Sequence, residues 1–518
     1  MASQVSPGIL IKERDLTNAV VTGALAIRAA HASSFAKGPI GEIVNINTQK
    51  ELIDTFGKPA DYAEDWMVAS EFLNYGGRLA VVRAESTGAL NAVTGGTGVL
   101  IKNEEDWMAG TGSAEIFAAR SAGTHGNRLV GVLVDAGADY ILALASDPAN
   151  VTLNAGDSLT FGAVTATVIS GDWNALVVKA DGAITSASVL TDGGATVAVT
   201  SAKDWYLNTS VEGVALSTIG PRPASTQFAL DNGFSGDAVH FAVIDRVDGT
   251  LVERFTYLSK LTDARDEEGG NIYYKSVINE QSRFLFQGAA PSTDANLGGT
   301  VALGTASSGT AGAMVQFGAF NDRLEDGADG SGYTSGQWGD AMDLFLDTEE
   351  TEIDFVLMGG SMASETDTKA KATKAIAIAA SRKDAIAFVS PHKGNQIASS
   401  GGALTSTQQK ENTLAFFSDL TSTSYAVFDS GYKYVYDRFN DVYRYIPTNG
   451  DVAGLCVQTS NLQEDWYSPA GLNRGGILNA VKMAYNPNKA DRDELYQARI
   501  NPVVGLRQVK FPSVFRLK

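Results

Sequence analysis

The segment EIDFVLMGGSMASETDTKAKATKAIAIAASRKDAIAFV, residues 352–389, sets the fold class of this chain. Residues 352–358 predict a core strand, and the glycine pair that follows ends it. The alanine-rich residues 367–382 predict a helix, and residues 384–389 predict the next strand. A strand, a helix and a strand joined by short links imply a parallel pair with a right-handed crossover. We therefore expect an α/β sheet.

A second α/β unit is predicted over residues 21–85. Residues 20–30 and 79–84 are apolar and indicate buried strands. Between them, Thr48 and Glu51 have the spacing of a capping box and start a helix that Gly57 ends. Residues 61–75 predict another helix, whose apolar stripe is more typical of a core than of a ligand site; the stripe consists of Tyr62, Trp66, Ala69 and Leu73. No GxGxxG or GxxxxGK[ST] pattern follows a strand here, so no phosphate-binding loop is predicted.

The composition restricts the classes of function. The 518 residues suggest two to four domains, and 44% hydrophobic residues can bury large cores. The net charge of −19 argues against a bulk surface that binds nucleic acid or anionic lipid. The N-terminus lacks the pattern of a signal peptide, and residues 20–30 are too short to span a membrane. A single cysteine, Cys456, excludes an intrachain disulfide, and its apolar neighbours indicate a buried thiol.

Residues 136–235 differ in kind from the segments on either side. Thr, Val, Ala, Gly and Asp dominate, short alternating runs recur, and turn signals are closely spaced. This pattern is typical of a small all-β module. Because it lies between two α/β segments, we expect an inserted, outward-facing domain.

Several patterns resemble functional sites without completing one. Ser121, His125 and Asp135 suggest a catalytic triad, but no nucleophile elbow surrounds the serine. Residues 326–332 have the composition of a calcium loop but lack the glutamate at its twelfth position, so a glycine-rich turn is the better interpretation. The four histidines are scattered, and no pair has metal-ligand spacing. The sequence therefore predicts no catalytic residue, no metal and no cofactor.

Three tyrosines alternate on one predicted strand of a hairpin over residues 432–446. They are Tyr432, Tyr434 and Tyr436. Cross-strand aromatic pairs usually stabilise a hairpin. Stacking on a sugar or a base is the alternative.

Residues 465–505, DWYSPAGLNRGGILNAVKMAYNPNKADRDELYQARINPVVG, are dense in structural signals. Residues 468–471 predict a turn, and Asn473 is a candidate N-cap for a helix over residues 473–484. Asp491 and Glu494 predict a second short helix. Residues 471–518 hold nine Lys and Arg against three Asp and Glu, a net charge of +6. An acidic body with a basic end suits head-to-tail contact between copies, although a solvated basic end explains the charge equally well.

Residues 1–20 predict an N-terminal arm. Ser6, Pro7 and Gly8 form a turn, and the apolar run that includes Ile9 and Ile11 is strand-like. A free strand either pairs within its own chain or adds to the sheet edge of a neighbour.

Taken together, separate stretches in the same order resemble the tail sheath proteins of contractile-tailed bacteriophages, particularly those of T-even-like myophages. The stretches that carry the resemblance are residues 6–13, 37–44, 52–59, 72–84, 434–442, 451–456 and 468–503. The last of these, which begins Ser468-Pro469-Ala470-Gly471, is the most specific. The inserted β region is where the resemblance is weakest.

The resemblance implies an α/β (α+β) multidomain fold with a mixed-sheet sheath core and an inserted all-β outer domain. The expected division is an arm at residues 1–20, a discontinuous core at 21–135 and 236–465, the insertion at 136–235, and the start of an inner, tube-facing domain at 466–518. In such families a further inner portion follows, so the sequence resembles either a truncated form or one whose last dozen residues are an atypical replacement, and we expect the chain alone to be a monomer or weak oligomer.

The resemblance also implies a function without catalysis. Copies stack as rings around a tail tube, and contraction drives the tube through the host envelope. The implied partners are other sheath subunits, the tail tube protein, and baseplate and tail terminator proteins, in a virion assembled in the bacterial cytoplasm. Candidate assembly residues are Ser6, Pro7, Gly8, Ile9, Ile11, Pro469, Asn473, Arg474, Arg492, Tyr496, Asn501 and Pro502.

Two other functions remain as alternatives. One is a sheath subunit of a related contractile injection system, such as a secretion system or a bacteriocin-like particle. The more remote one is a hydrolase with a β accessory module, for which the sequence offers no assembled catalytic group.

Overall fold

The computed structural model describes residues 27–60, 63–194, 196–398, 404–471, 474–506 and 514–517. Helices and strands are both abundant, and the strands form several sheets and one closed barrel. The predicted N-terminal arm lies outside the described residues.

A seven-stranded sheet, here called the core sheet, gathers strands from both ends of the chain. In spatial order its strands are Ile43–Ile46, Arg78–Arg83, Arg28–Ser33, Phe355–Leu357, Ile386–Val389, Ala426–Asp429 and Ile500–Asn501. The first pair is antiparallel and every other pair is parallel. The predicted parallel strand pair at residues 352–389 is confirmed, with Phe355 opposite Ile386. Of the strand predicted at residues 20–30, residues 20–26 lie outside the described residues, and the described strand is Arg28–Ser33.

Helices cover both faces of the core sheet, as parallel strands require. One face packs against Ala63–Asn74 and Asn449–Leu462, and the other against Ser335–Asp343, Glu365–Arg382 and Ser406–Ser418. The predicted apolar stripe is confirmed where it is described, because Trp66, Ala69 and Leu73 are buried. The remaining helices, including short 3-10 segments, are Gln49–Phe56, Glu104–Met108, Thr124–Arg128, Trp205–Asn208, Leu216–Ile219, Gln227–Asp231, Tyr274–Gln281, Ala295–Leu297, Leu344–Leu346, Lys393–Asn395 and Lys489–Gln497.

Local sequence explains several helix boundaries. Thr48 caps the helix Gln49–Phe56 through its side chain, which accepts a hydrogen bond from the Glu51 N–H. The Glu51 carboxylate, however, accepts from the backbone N–H of Asn47 at 2.8 Å. The helix therefore starts where predicted, but Glu51 accepts from the N–H of Asn47 and not from that of the N-cap residue Thr48, as a capping box would require.

A second seven-stranded sheet is formed by strands that lie between residues 93 and 325 of the sequence. Its strands, in spatial order, are Thr250–Ser259, Ala238–Asp245, Leu129–Val134, Ala319–Glu325, Val93–Thr94, Phe117–Ala119 and Leu285–Gln287. Its first two strands, Thr250–Ser259 and Ala238–Asp245, form an antiparallel pair. Its core is separate from that of the core sheet.

The inserted region contains a closed six-stranded barrel. Its strands are Tyr140–Leu144, Ser158–Phe161, Val164–Ser170, Leu176–Ala180, Val189–Leu190 and Val197–Asp204. Alternate side chains fill the barrel, among them Leu142, Val168 and Val178. Short helices, which the sequence analysis did not anticipate, follow the barrel between residues 205 and 231. The proposed domain bounds stay a prediction.

Four small sheets complete the strand inventory. Their strands are Ser210–Val211 with Val214–Ala215; Ala89–Leu90 with Ala328–Asp329; Val442–Pro447 with Tyr432–Asp437 and Lys482–Met483; and Val503–Leu506 with Val514–Leu517. The third of these confirms the predicted hairpin.

Candidate assembly surface

The C-terminal stretch, residues 465–506, lies against the core sheet. It adds Lys482–Met483 to the tyrosine hairpin and Ile500–Asn501 to the edge of the core sheet. Between these strands runs the helix Lys489–Gln497. The stretch is therefore bound into the body at several points along its length.

The prediction of a helix over residues 473–484 is wrong, because the described residues 474–484 are not helical. Asn479 has a left-handed backbone with φ of 56°. The N–H groups of Val481 and Ala484 donate to the carbonyls of Tyr434 and Tyr432 at 2.9 and 2.8 Å. Apolar residues at helical spacing indicate only a local preference for a helix, and the hydrogen bonds to the hairpin override that preference.

A buried polar cluster also holds this segment; we call Glu71, Tyr75, Lys433 and Asp451 the Lys433 cluster. The Lys433 ammonium lies 2.8 Å from Asp451 Oδ1 and 3.1 Å from Glu71 Oε2. It donates to the Leu478 carbonyl at 2.9 Å, and the Tyr75 hydroxyl accepts from the Leu478 N–H at 2.9 Å. The cluster thus occupies both the backbone N–H and the carbonyl of Leu478, so these groups do not form helical hydrogen bonds.

The predicted assembly residues near the turn are Pro469, Asn473 and Arg474. Pro469 is half-buried, and the Arg474 guanidinium lies 5.3 Å from the centre of the Tyr467 ring. Asn473 lies outside the described residues, as do Ser6, Pro7, Gly8, Ile9 and Ile11. The turn itself is supported by a hydrogen bond from the Ala470 N–H to Ser468 Oγ.

Arg492 and Tyr496 lie on the helix Lys489–Gln497, which was predicted correctly but starts differently. Asn488 rather than Asp491 is its N-cap, and Asp491 completes a reciprocal capping box. Arg492 is half-buried, whereas the Tyr496 side chain is 77% exposed. An exposed tyrosine supplies apolar area and a polar tip at once, as interfaces often require.

Asn501 and Pro502 lie at the edge of the core sheet. The Asn501 side chain donates to the Phe428 carbonyl at 3.0 Å, and the Ser430 N–H donates to the Asn501 carbonyl at 3.1 Å. Pro502 is buried. The candidate residues thus occupy a turn, a helix and a sheet edge, and among the described ones no hydrogen bond or ring contact joins these three places.

Sequence reasoning missed several strongly exposed apolar side chains of this region. Leu462 is 69% exposed and Trp466 is 71% exposed, and Tyr467 packs edge-to-face on Trp466. Val481 and Tyr443 are also exposed. Residue type alone does not reveal exposure, although a tryptophan beside acids Glu464 and Asp465 was a usable signal. Exposed Trp and Tyr side chains close together mark candidate interface anchors.

The tyrosines of the hairpin pair with each other. The ring centres of Tyr434 and Tyr445 are 4.6 Å apart, and those of Tyr436 and Tyr443 are 5.1 Å apart. The Lys482 ammonium lies 4.6 Å from the centre of the Tyr434 ring. The predicted cross-strand pairing is confirmed, and intramolecular contacts already occupy the face of Tyr434.

The triad candidate does not assemble. Ser121 Oγ and His125 Nε2 are 3.0 Å apart, a contact that the sequence analysis did not expect. Asp135, however, is 2.8 Å from Lys260 Nζ and accepts from the N–H groups of Phe317 and Gly318. No described residue hydrogen-bonds to His125 Nδ1. Burial lowers the pKa of His125 to about 4, and no carboxylate orients the ring as a triad requires.

Other candidate chemistry has structural explanations. The Asp329 carboxylate accepts from the N–H and the hydroxyl of Thr124, both at 2.8 Å, and so joins the strand Ala328–Asp329 to the start of the 3-10 helix Thr124–Arg128. Burial raises the pKa of the Cys456 thiol to about 12, which keeps it protonated at neutral pH. Among the residues that the structure describes, no group of three or more His, Cys, Asp and Glu could hold a metal ion. Within the same residues, every helix is too short or too polar to cross a bilayer.

The chain resembles known proteins over almost its whole length. The family model of the phage tail sheath protein central domain matches residues 331–510. The tail sheath protein of Vibrio phage KVP40 is 29% identical over 97% of this chain and 80% of its own length, and that of Enterobacteria phage T4 is 26% identical over the same shares. The sheath tail protein Lin1278 from Listeria innocua aligns with 95% of this chain and 68% of its own at 9% identity and a TM-score of 0.45. Residues 331–510 thus match the phage tail sheath protein central domain, and the relatives that align with 97% of the chain are tail sheath proteins, which supports a role as a structural sheath subunit.

Proposed function

We propose that copies of this chain polymerise as stacked rings around a tail tube and that the rings rotate and compress to drive the tube through a host envelope. The observation that carries the proposal is the similarity of 97% of the chain to two phage tail sheath proteins. Contacts between unlike surfaces of identical copies form rings where the rotation closes and an open helical lattice where it does not. Two packings of the same rigid subunits can then differ in energy without any nucleotide.

The partners that we propose are other sheath subunits, the tail tube protein, and the baseplate and tail terminator proteins. The subunit acts in the virion tail after assembly in the cytoplasm of the bacterial host, without catalysis and without a cofactor. The contrast between the net charge of −19 and the basic residues 471–518 supports contact between copies, because opposite charges steer encounter.

The exposed aromatic pair Trp466 and Tyr467, which follows the helix Asn449–Leu462, supports an assembly role for the C-terminal stretch. Trp466 is 71% exposed and packs edge-to-face on Tyr467, which is 44% exposed. When a partner covers exposed apolar side chains, the complex is stabilised by roughly 25 cal/mol per Å² of apolar surface removed from water. In a lattice this gain is repeated in every subunit.

Electron microscopy tests the proposal directly. Purified chain is added to sheathless tube–baseplate complexes from its own phage, and we expect striated helical sheaths around the tubes. Trp466→Ala should reduce sheath formation, whereas Leu207→Ala, which removes a side chain that is 64% exposed elsewhere on the surface, should not. Bare tubes after incubation with folded wild-type chain would contradict the proposal.

A further inference from the structure

We propose that the Lys433 cluster is a proton-dependent clamp that holds residues 478–479 of the C-terminal stretch against the core. The inference concerns how one segment is fixed within a single subunit. Its consequence for assembly rests on the proposed function, but the clamp itself does not.

The cluster holds the segment by three kinds of contact. Lys433 donates to the Leu478 carbonyl, and the Leu478 N–H donates to the Tyr75 hydroxyl, each at 2.9 Å. The Asn479 side-chain amide donates to both carboxylate oxygens of Glu71 at 3.2 Å. Because all four members of the cluster belong to the body, a change in their charge acts on residues 478–479 directly.

The charges of the cluster do not balance when both acids are ionised. Glu71 and Asp451 are two carboxylates that share one ammonium, that of Lys433, and all three side chains are buried. Tyr75 is neutral and donates to Asp451 Oδ1 at 2.9 Å. A buried negative charge without a counter-ion is costly, so a proton on one carboxyl group stabilises the cluster.

The geometry indicates which oxygen carries that proton. Both oxygens of Glu71 accept hydrogen bonds from Asn479, and one also faces Lys433. Asp451 Oδ1 accepts from Tyr75 and Lys433, but Asp451 Oδ2 has no hydrogen-bond partner among the described residues. Burial, opposed by Lys433 and reinforced by Glu71, raises the pKa of Asp451 to about 7. The proton therefore belongs on Asp451 Oδ2.

Linkage gives the direction of the pH dependence. A carboxyl group whose pKa is higher in the closed state than in the open state binds a proton on closing. Its contribution is fully present below the open-state pKa, about 3.9 for an aspartate, and is lost as the pH rises through about 7. The clamp is therefore tight in acid and loosens towards neutral pH.

The segment under the clamp displays side chains that an interface could use. Leu478 is 38% exposed and Val481 is 57% exposed. Fixing residues 478–479 fixes the direction in which these side chains face solvent. The protonation of Asp451 would thus set how well the surface is ordered before a neighbouring copy meets it.

Hydrogen–deuterium exchange of the full chain tests the clamp. The readout is the protection of the Leu478 N–H after correction for the intrinsic exchange rate, with the N–H of Val132 in the second sheet as an internal reference. We expect wild-type protection to fall about tenfold for each pH unit between pH 5 and 7 and to level off above pH 7. A flat wild-type profile would overturn the proposal.

Three variants separate a proton-dependent clamp from a merely structural contact. Asp451→Asn, which imitates the protonated carboxyl group, should make the profile flat. Glu71→Gln leaves one acid for one ammonium and should move the fall below pH 5. Tyr75→Phe removes an uncharged contact and should lower protection at every pH while keeping the wild-type slope. A wild-type slope in Asp451→Asn would overturn the proposal, whether or not the chain forms sheaths.

Discussion

Two buried lysines in the same α/β body have different surroundings. Lys371 faces one carboxylate, that of Asp65, at 3.1 Å, and it also donates to Tyr333 and to the Gly360 carbonyl. Lys433 faces two carboxylates, one of which leaves an oxygen without a partner among the described residues. Both ammonium groups are fully buried.

The difference lies in the charge balance. At the Lys371 site, Asp65 accepts hydrogen bonds from Gly360 N–H, Tyr333 and Ser33 in addition to the ammonium, so both its oxygens are satisfied. One positive and one negative charge cancel there, and the site joins the helix Ala63–Asn74 to the helix Glu365–Arg382. A balanced site stabilises the fold, whereas an unbalanced site responds to protons.

The largest effect is expected from removing the balanced lysine. Lys371→Met leaves the Asp65 carboxylate buried without a counter-ion, which should cost about 3–5 kcal/mol of unfolding free energy. Urea unfolding followed by tryptophan fluorescence at pH 7 measures it. Lys374→Met is the matched control on the same helix, because its partly exposed ion pair with Asp343 should contribute less than about 1 kcal/mol. Equal losses in the two variants would remove the distinction.

A smaller effect of opposite sign is expected at the unbalanced site. Because the pKa of Asp451 is raised, its stabilising contribution is lost as the pH rises from about 4 through about 7. Asp451→Asn should therefore match the wild type at pH 5 and exceed its unfolding free energy by about 2–3 kcal/mol at pH 8, because the wild type loses about 1.4 kcal/mol for each pH unit between pH 5 and about 7. Urea unfolding at both pH values measures the difference.

The control for that experiment is Asp65→Asn. Its four hydrogen-bond donors, one of them an ammonium, remain in place around a neutral amide, so it should destabilise the chain at pH 5 and at pH 8. If Asp451→Asn behaved in the same way, the two sites would not differ in charge balance.

These sites show what the sequence could and could not predict. Predictions that depend on short stretches of sequence are confirmed. Thr48 starts a helix, and the strands predicted near residues 355 and 386 form a parallel pair. The alternation of the tyrosines also places Lys433 on the opposite, inward face of its strand. Its partners Glu71 and Asp451 are distant in the sequence, and no local pattern names them. Contacts of Lys433 and Tyr75 with Leu478 also explain why the helix predicted at residues 473–484 does not form.

The candidate assembly residues depended even more on long-range structure. Pro502 and Asn501 were selected from the family resemblance, and the structure places them in a sheet edge where Asn501 already bonds to Phe428. Trp466 was not selected, although it is more exposed than Pro469 or Arg474. Exposure is set by how distant segments cover one another, and a linear pattern does not contain that information.

The smallest effect on stability is expected at the surface of the C-terminal stretch. Tyr496 is 77% exposed, so Tyr496→Ala should change the unfolding free energy by less than about 0.5 kcal/mol. If Tyr496 anchors a contact between copies, the same variant should weaken sheath incorporation by about tenfold, which corresponds to about 1.4 kcal/mol per contact. Met108→Ala, which truncates a side chain that is 64% exposed outside this stretch, is the control and should do neither. Thermal unfolding together with electron microscopy of tube-bound sheaths measures both quantities. Equal incorporation of the two variants would show that Tyr496, despite its exposure, anchors no contact between copies.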